Sequence, residues 1–533
     1  MPLNLASPGI KVREVDLTVG RVDPSSEKIG GLVAPFAQGP VDLPIVIGSE
    51  KDLLDNFGKS YSTDKHYEHW MSASSYLAYG APMRVVRADD DDLSNAYVGT
   101  GAIKIKSIEH YEQLQYDDNV VANRSVIAKN PGSWANGIRV AIIDGLADQI
   151  LTIDTTNING GASNIEVGMG VTQAISATLP GAGTTSSLDG YLKGIVTQVA
   201  SETISVKVLS HVSAAGTETT VDYQPSGIYA FNTAGGEVGI HTVGETVSFG
   251  STSITTVSDW FDSQTLAIST ATSGGTVTTA TLNWNNVADR PGTSQFAQDR
   301  GARFDEVHVV IIDGEGKITG TTGTILEKHL NLSKAKDGEY SVGSPSYWRA
   351  YLKTNSSFIF GGSAPTGITT SGYASGFSRA TDVDWDQNAE GVIFGSVGKQ
   401  DLILANGVNY DGNQDLEASG ALSPELNKLV DGYGLFENKE NYNVDFLIMG
   451  SANYAKENAQ ALANKLISVA DIRKDALAFI SPYRGAFLSD SAAGTVTVND
   501  DETITDNVIG FYAPITSSSY AILDSGYKYM YDR

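Results

Sequence analysis

The chain carries seven histidines and no cysteine, so thiol nucleophiles, disulfides, Cys-ligated zinc and iron–sulfur clusters are out at once. His66 and His69 stand three apart, close enough to share one face of a helix and a metal ion. Glu68 between them does not complete an HExxH motif and no third ligand is in view, so the pair reads as the exposed start of a helix. No GxSxG nucleophile elbow occurs. Gly314-Glu315-Gly316-Lys317 comes near a phosphate loop, but that loop needs Gly at 311 and Ser or Thr at 318, where Ile311 and Ile318 stand. It reads as a hairpin turn. Gly450-Ser451-Ala452-Asn453, between a strand and a helix, lacks the GxGxxG of dinucleotide sites.

Two acidic clusters space carboxylates like the start of an EF-hand loop. In the first, Asp382, Asp384 and Asp386 are followed by Gln387 in place of the required Gly and by Ile393 in place of the closing Glu. In the second, Asp411, Asn413 and Asp415 meet Leu416 and Leu422 at the same two places. Both read as solvated turns. A glycosidase pair is a matter of three-dimensional separation, and no sequence feature selects one. The expectation is no enzyme, no cofactor and no metal.

The elements around these residues come from 533 residues with a formal charge of −26 and 18% charged residues. Such a length implies two to four domains. A chain this acidic will not coat nucleic acid or an anionic membrane, both polyanions, through its mean field. No apolar run approaches the roughly 20 residues that span a bilayer, and the first residues lack the cationic and apolar regions of a secretion signal. The expectation is a soluble protein made in a cytoplasm. With 56 glycines and much Thr, Ser and Val, β-rich and loop-rich domains are favoured over helical bundles.

Ile10 and Val12 alternate with Lys11 and Arg13 as one short strand, too short to own a core. Residues 44–47 read as a strand, 51–57 as a helix stopped by Gly58, 67–79 as a helix with Trp70, Met71, Ser74, Leu77 and Ala78 on one side, and 83–88 as a strand. The Asp89–Asp92 run reads as a solvated exit. Residues 151–290 hold 11 acidic and 3 basic residues, about half the charge density of the whole, with short β-type runs between glycine clusters. They read as an inserted sandwich or barrel. Residues 307–312, a turn at 313–316 and Ile318-Thr319 read as a hairpin. A strand at 444–449, a helix at 455–469 and a strand at 476–480 make a β-α-β unit.

Several segments together resemble the tail sheath proteins of contractile-tailed bacteriophages. They are Pro8-Gly9-Ile10-Lys11-Val12-Arg13-Glu14; Gly39-Pro40 through Ile47, Asp52-Leu53 and Phe57-Gly58; Met71 through Gly80 with Met83-Arg84-Val85-Val86-Arg87-Ala88; and Asn130-Pro131-Gly132-Ser133-Trp134-Ala135-Asn136. Gly407 with Asp411-Gly412, the β-α-β unit through Asp475, and Ser518–Ala521 with Tyr527–Asp532 follow in the order the family shows. The resemblance covers most of residues 8–150 and 300–533.

That resemblance implies a multidomain α+β fold: a discontinuous conserved α/β sheath domain, inserted β-rich outer domains and an extended N-terminal arm. The implied division is an arm at 1–23, the conserved domain at 24–97 and 345–533, a middle β-rich domain at 98–150 and 293–344, and a variable outer insertion at 151–292. Pro8, Gly9, Ile10, Val12, Glu14 and Val15 become the inter-subunit arm, adding a strand to a neighbour's sheet. The implied function is a virion structural subunit, assembled in the host cytoplasm, that polymerises around the tail tube and contracts to drive the tube through the host envelope. Implied partners are further copies of itself in stacked hexameric rings, the inner tube protein, and baseplate and terminator proteins, with no direct nucleic acid and no membrane insertion. Family members also continue past the segment matching Tyr527–Asp532, which implies a longer protein. The alternatives are the sheath of a non-phage injection device and, in a different class, a secreted acidic polysaccharide hydrolase.

Overall fold

The computed structural model describes residues 28–114, 123–145, 149–152, 165, 170–178, 187–200, 203–220, 231, 238–242, 245–249, 253–256, 261, 264–273, 276–299, 305–362, 399–450, 455–490 and 496–526. They form a mixed α/β protein with several sheets, divided into two units. The arm residues Pro8 to Val15, the Asp382–Asp386 cluster and Tyr527–Asp532 lie outside the described residues.

One unit takes in residues 12–119, Ala128–Asn136 and 405–533, as far as they are described. Its centre is a six-stranded sheet built from β1 (Gly30–Ala34), β2 (Ile45–Ile47), β3 (Met83–Arg87), β4 (Phe446–Ile448), β5 (Leu477–Ile480) and β6 (Ala521–Leu523). The spatial order is β2-β3-β1-β4-β5-β6. All neighbours are parallel except β2, which runs antiparallel to β3. Period-two alternation sends Leu32 and Val85 to one face and Val33 and Val86 to the other.

The first face is packed by α1 (Glu50–Phe57) and α2 (His66–Leu77), through Leu53, Phe57, Trp70, Ala73 and Leu77. The opposite face is packed by α3 (Leu426–Gly434), α4 (Lys456–Arg473) and α5 (Asp501–Tyr512), through Leu429, Tyr433, Leu462, Leu466, Ile467 and Phe511. Helix α1 begins where the Ser49 hydroxyl accepts from Asp52 N at 3.1 Å and ends at Gly58, whose φ of 81° suits a residue without Cβ. The expected β-α-β unit is present as β4-α4-β5.

Three expectations are corrected here. His66 and His69 are not an exposed helix start: they are 0% and 3% exposed, on the same i, i+3, i+4 stripe of α2 as Trp70, Ala73 and Leu77. That stripe also replaces the expected Met71, Ser74 and Ala78, which are not among the fully buried residues of α2. Asp89 and Asp90 are buried rather than a solvated exit. Lys104 Nζ and Lys106 Nζ hold the two Asp89 oxygens at 2.7 and 2.8 Å.

The other unit takes in residues 120–127 and Gly137–Leu404, again as described. Ile138–Ile143, Lys399–Ile403, Glu306–Asp313 and Thr324–Ser333 make a four-stranded antiparallel sheet. Val310, Ile312, Ala141 and Ile143 pack there against Phe261, Leu266 and Trp284. The hairpin return does not start at Ile318. The Asp313 carboxylate accepts from Ile318 N, Thr319 N and Thr319 Oγ1 at 2.7–3.0 Å, which organises a loop, and the partner strand begins at Thr324. The low-charge region expected to be β-rich holds an antiparallel sheet that includes Gly170–Thr178, Ser187–Ala200 and Thr203–Val212, and a hairpin of Thr265–Ser273 with Thr276–Asn283.

Candidate assembly surfaces

In the unit with the parallel sheet, the segments singled out in the sequence meet one another. Arg87, the last residue of β3, is fully buried. Its guanidinium donates to the carbonyls of Gly39 at 2.9 Å, Pro131 at 2.8 Å and Ala37 at 3.4 Å, and lies 5.9 Å from the centre of the Tyr410 ring. Tyr410 in turn donates its hydroxyl to Ala88 O at 2.7 Å. Asn136 and Gly407 exchange two bonds, Gly407 N to Asn136 Oδ1 at 2.8 Å and Asn136 Nδ2 to Gly407 O at 2.9 Å. Ser133 and Asn409 do the same at 2.8 and 2.7 Å.

These fixed-donor contacts require particular residue types. A planar fork on a long stem reaches carbonyls on separate sides from one Cα, here Gly39 and Pro131 from one terminal nitrogen and Ala37 from the other. Gly407 is tied sterically as well: a Cβ there would lie 2.3 Å from Gly132 O and 2.8 Å from Asn136 Oδ1. Gly407→Ala is therefore expected to destabilise this unit by about 2–4 kcal/mol, since backbone must shift to admit one methyl group. A fall in the urea midpoint at unchanged m-value checks it.

Burial also sets the titration of this region. The His66 side chain is pushed down to about 4, chiefly by burial and further by the Arg87 charge. His69 is pushed down to about 3 by burial, with His66 adding repulsion. Tyr61 N donates to His66 Nδ1 at 3.1 Å, and the His66 ring stands edge-on to Phe36. Asp89 is held below the usual carboxylate range, because Lys104 and Lys106 outweigh the desolvation that acts the other way. Among the described residues, no group of three or more His, Asp or Glu could hold a metal ion. Asn413 Nδ2 donates to the Asp411 and Ser419 carbonyls, and Asp415 Oδ1 accepts from Glu417 N, so these side chains organise their own loop.

Among the described residues, the border of the sheet remains open. Its outer strands are β2, where Val46 is 57% exposed, and β6, where Ile522 and Leu523 are 42% and 52% exposed. An outer strand presents backbone donors and acceptors to any extended segment that arrives. No helix among the described residues is long and apolar enough to cross a membrane.

No family model matches the chain. Two curated relatives do. The tail sheath protein of Enterobacteria phage T4 is 22% identical over 557 residues, an alignment that takes in 100% of this chain and 70% of the relative. The tail sheath protein of Vibrio phage KVP40 is 21% identical over 552 residues, with 100% of this chain and 71% of the relative covered. The chain is homologous to phage tail sheath proteins. Among solved structures, the sheath tail protein of Listeria innocua aligns with 91% of this chain and 56% of its own at 9% identity and a TM-score of 0.30. That of Desulfitobacterium hafniense aligns with 90% and 57% at 10% identity and the same TM-score. The chain thus spans a little over half the length of those two structures. The sheath resemblance read from the motif blocks is borne out by the two phage relatives, and the Arg87 cluster is where blocks 300 residues apart in the chain are tied together.

Proposed function

We propose that the chain is a structural subunit of a contractile phage tail sheath, a virion component that polymerises helically around a tail tube. The observation that carries this reading is the pair of tail sheath relatives aligned along all of this chain. In the proposed assembly, hexameric rings stack around the inner tube protein and end at baseplate and terminator proteins. The domain division set out above belongs to the same proposal, with 24–97 and 345–533 as the conserved sheath domain and 151–292 as an outer insertion. Contraction is then a rigid-body switch between two packings of the same subunits, needing no nucleotide or ligand. The non-phage injection device and the polysaccharide hydrolase gain nothing from these relatives.

Residues Pro8, Gly9, Ile10, Val12, Glu14 and Val15 serve in this reading as a strand that joins a neighbouring subunit's sheet. Backbone hydrogen bonds of that kind hold neighbours together while their bodies rotate. The test is negative-stain microscopy of the purified protein. Hollow tubes or stacked hexagonal rings support the sheath reading, and strictly monomeric particles at high concentration overturn it. Deletion of residues 1–16 is expected to leave a folded subunit that no longer forms tubes; unchanged tube formation removes the arm assignment.

A further inference from the structure

Among the described residues, the face of the parallel sheet that α1 and α2 pack is covered over only part of its width. Over β2, β3 and β1 the two helices bury Ile47, Met83, Val85, Leu32 and Ala34. Over β4, β5 and β6 the same face shows Phe446, Leu477, Phe479 and Ile522, while Ile448 of β4 is partly buried against the α1–α2 cluster. Phe479 and Ile522, paired in register, are 37% and 42% exposed, and the Phe446 and Phe479 rings meet edge-to-face at 5.4 Å. The opposite face of these strands is packed by α4 and its neighbours, where Leu447, Ala478 and Ile480 are buried. On that opposite face only Leu523, at the end of β6, stands 52% exposed, so the larger apolar exposure over β5 and β6 on the α1–α2 side marks a docking surface.

The way the chain arrives at the sheet points to the occupant. Ile29 O accepts from Asp445 N at 2.8 Å and Phe446 N at 3.1 Å, and Ile29 N donates to Asp445 Oδ2 at 2.8 Å, so the chain enters β1 beside the first residue of the bare half. The Tyr76 hydroxyl, from α2, donates to Lys28 O. Tyr76 also lies over Gly30 on the α2 side, which places the residue preceding Ile29 on the same side of the sheet as the bare half. Upstream, Val15, Leu17 and Val19 alternate with Asp16, Thr18 and Gly20, the period of a strand with one apolar face. From Val19 to Lys28 is nine residues, a reach of about 30 Å. The axes of the three bare strands span about 10 Å.

We infer that Val15, Leu17 and Val19 seat on Phe446, Phe479 and Ile522 of the same chain, in the subunit before it joins a lattice. This seat takes Val15, the last residue of the donated strand proposed above, together with the segment that follows it; Val15 leaves the seat when the subunit joins a neighbour, and the inference rests on that reading only for what residues 8–15 then do. Held there, the segment covers apolar surface that otherwise invites aggregation and fixes the direction in which the arm leaves the body.

The absence of native cysteine makes the test clean. In the full chain, Leu17→Cys is paired with Phe479→Cys, and Val15→Cys and Val19→Cys are each paired with Ile522→Cys, under mild oxidation of dilute subunit. The expected result is a disulfide within one chain, at a yield at least about tenfold above the control pairing Leu17→Cys with Val46→Cys at the far border of the sheet, because a seated segment has a high local concentration. All six substituted positions are exposed or lie upstream of the described fold, so the variants leave the core intact, and circular dichroism verifies it. A disulfide between chains, or none above the control for any pair, overturns the seat. Microscopy of the unaltered chain separates the two ideas: tubes without the disulfide leave the sheath reading standing and the seat refuted, and the disulfide without tubes does the reverse.

Discussion

Replacing Arg87 with methionine is expected to destabilise its unit by about 3–5 kcal/mol, because three buried carbonyls lose a charged donor at about 1–3 kcal/mol each. Methionine has similar length and is at home in a core, so lost volume contributes little. The cost comes from the carbonyls of Gly39, Pro131 and Ala37, which stay buried and lose their donor. Asp89 loses a favourable charge as well, although Lys104 and Lys106 still hold it. Arg87→Lys is expected to recover less than half of the loss, because a single nitrogen cannot stand at both positions from which the two terminal guanidinium nitrogens reach the carbonyls. Denaturant unfolding of both variants checks this: a lysine variant as stable as the parent would show that charge alone matters. The expected secondary effect is on folding, since Arg87 bonds join segments about 45 residues apart, and Tyr410 joins Ala88 from 322 residues away.

The elements that local chemistry dictates were legible from the residues. Gly58 stops α1, the apolar residues of 83–88 mark β3, and the helical stripe of Ala459, Leu462 and Leu466 marks α4, whereas β1 was not read from the sequence. What stayed hidden depends on partners far away in the chain. His66 and His69 are buried because α2 packs on a sheet whose central strands, β1 and β4, are more than 400 residues apart in sequence, and histidine as a residue type gives no hint of it. Asp89 looked solvated because four consecutive aspartates normally are; Lys104 and Lys106 return to it from the following segment. The loop after Asp313 was misread because one carboxylate organising three donors leaves no periodic signature. The motif blocks behave differently: their residue types are demanded by mutual contacts, so they carried the resemblance without revealing that they touch. The arm residues lie outside the described residues.

Acidification from pH 7 to pH 5 is expected to destabilise the unit with the parallel sheet by about 4 kcal/mol through His66 and His69 alone. The sign follows from which state takes up protons. In the unfolded chain both histidines titrate near 6.5. In the native fold His66 is held down to about 4 and His69 to about 3, so between those values and 6.5 the unfolded state binds the extra protons. Stability is therefore full above about pH 7 and falls by up to roughly 1.4 kcal/mol per pH unit for each histidine below it. The carboxylates enter in a lower window. Asp89, depressed by its two lysines, loses its contribution only below about pH 4. Asp90, raised mainly by burial, acts with the opposite sign as it protonates in the native state. His110, in the same unit and also held below 6.5, chiefly by burial, adds to the same interval, so the share of α2 is read as the difference between parent and variant. His69→Gln removes one titrating group at similar reach and is expected to lower the neutral-pH stability while flattening the slope by about half. Equal slopes in parent and variant would mean that His69 protonates freely in the native state, and the packing of α2 against β1 would then be looser than its burial implies.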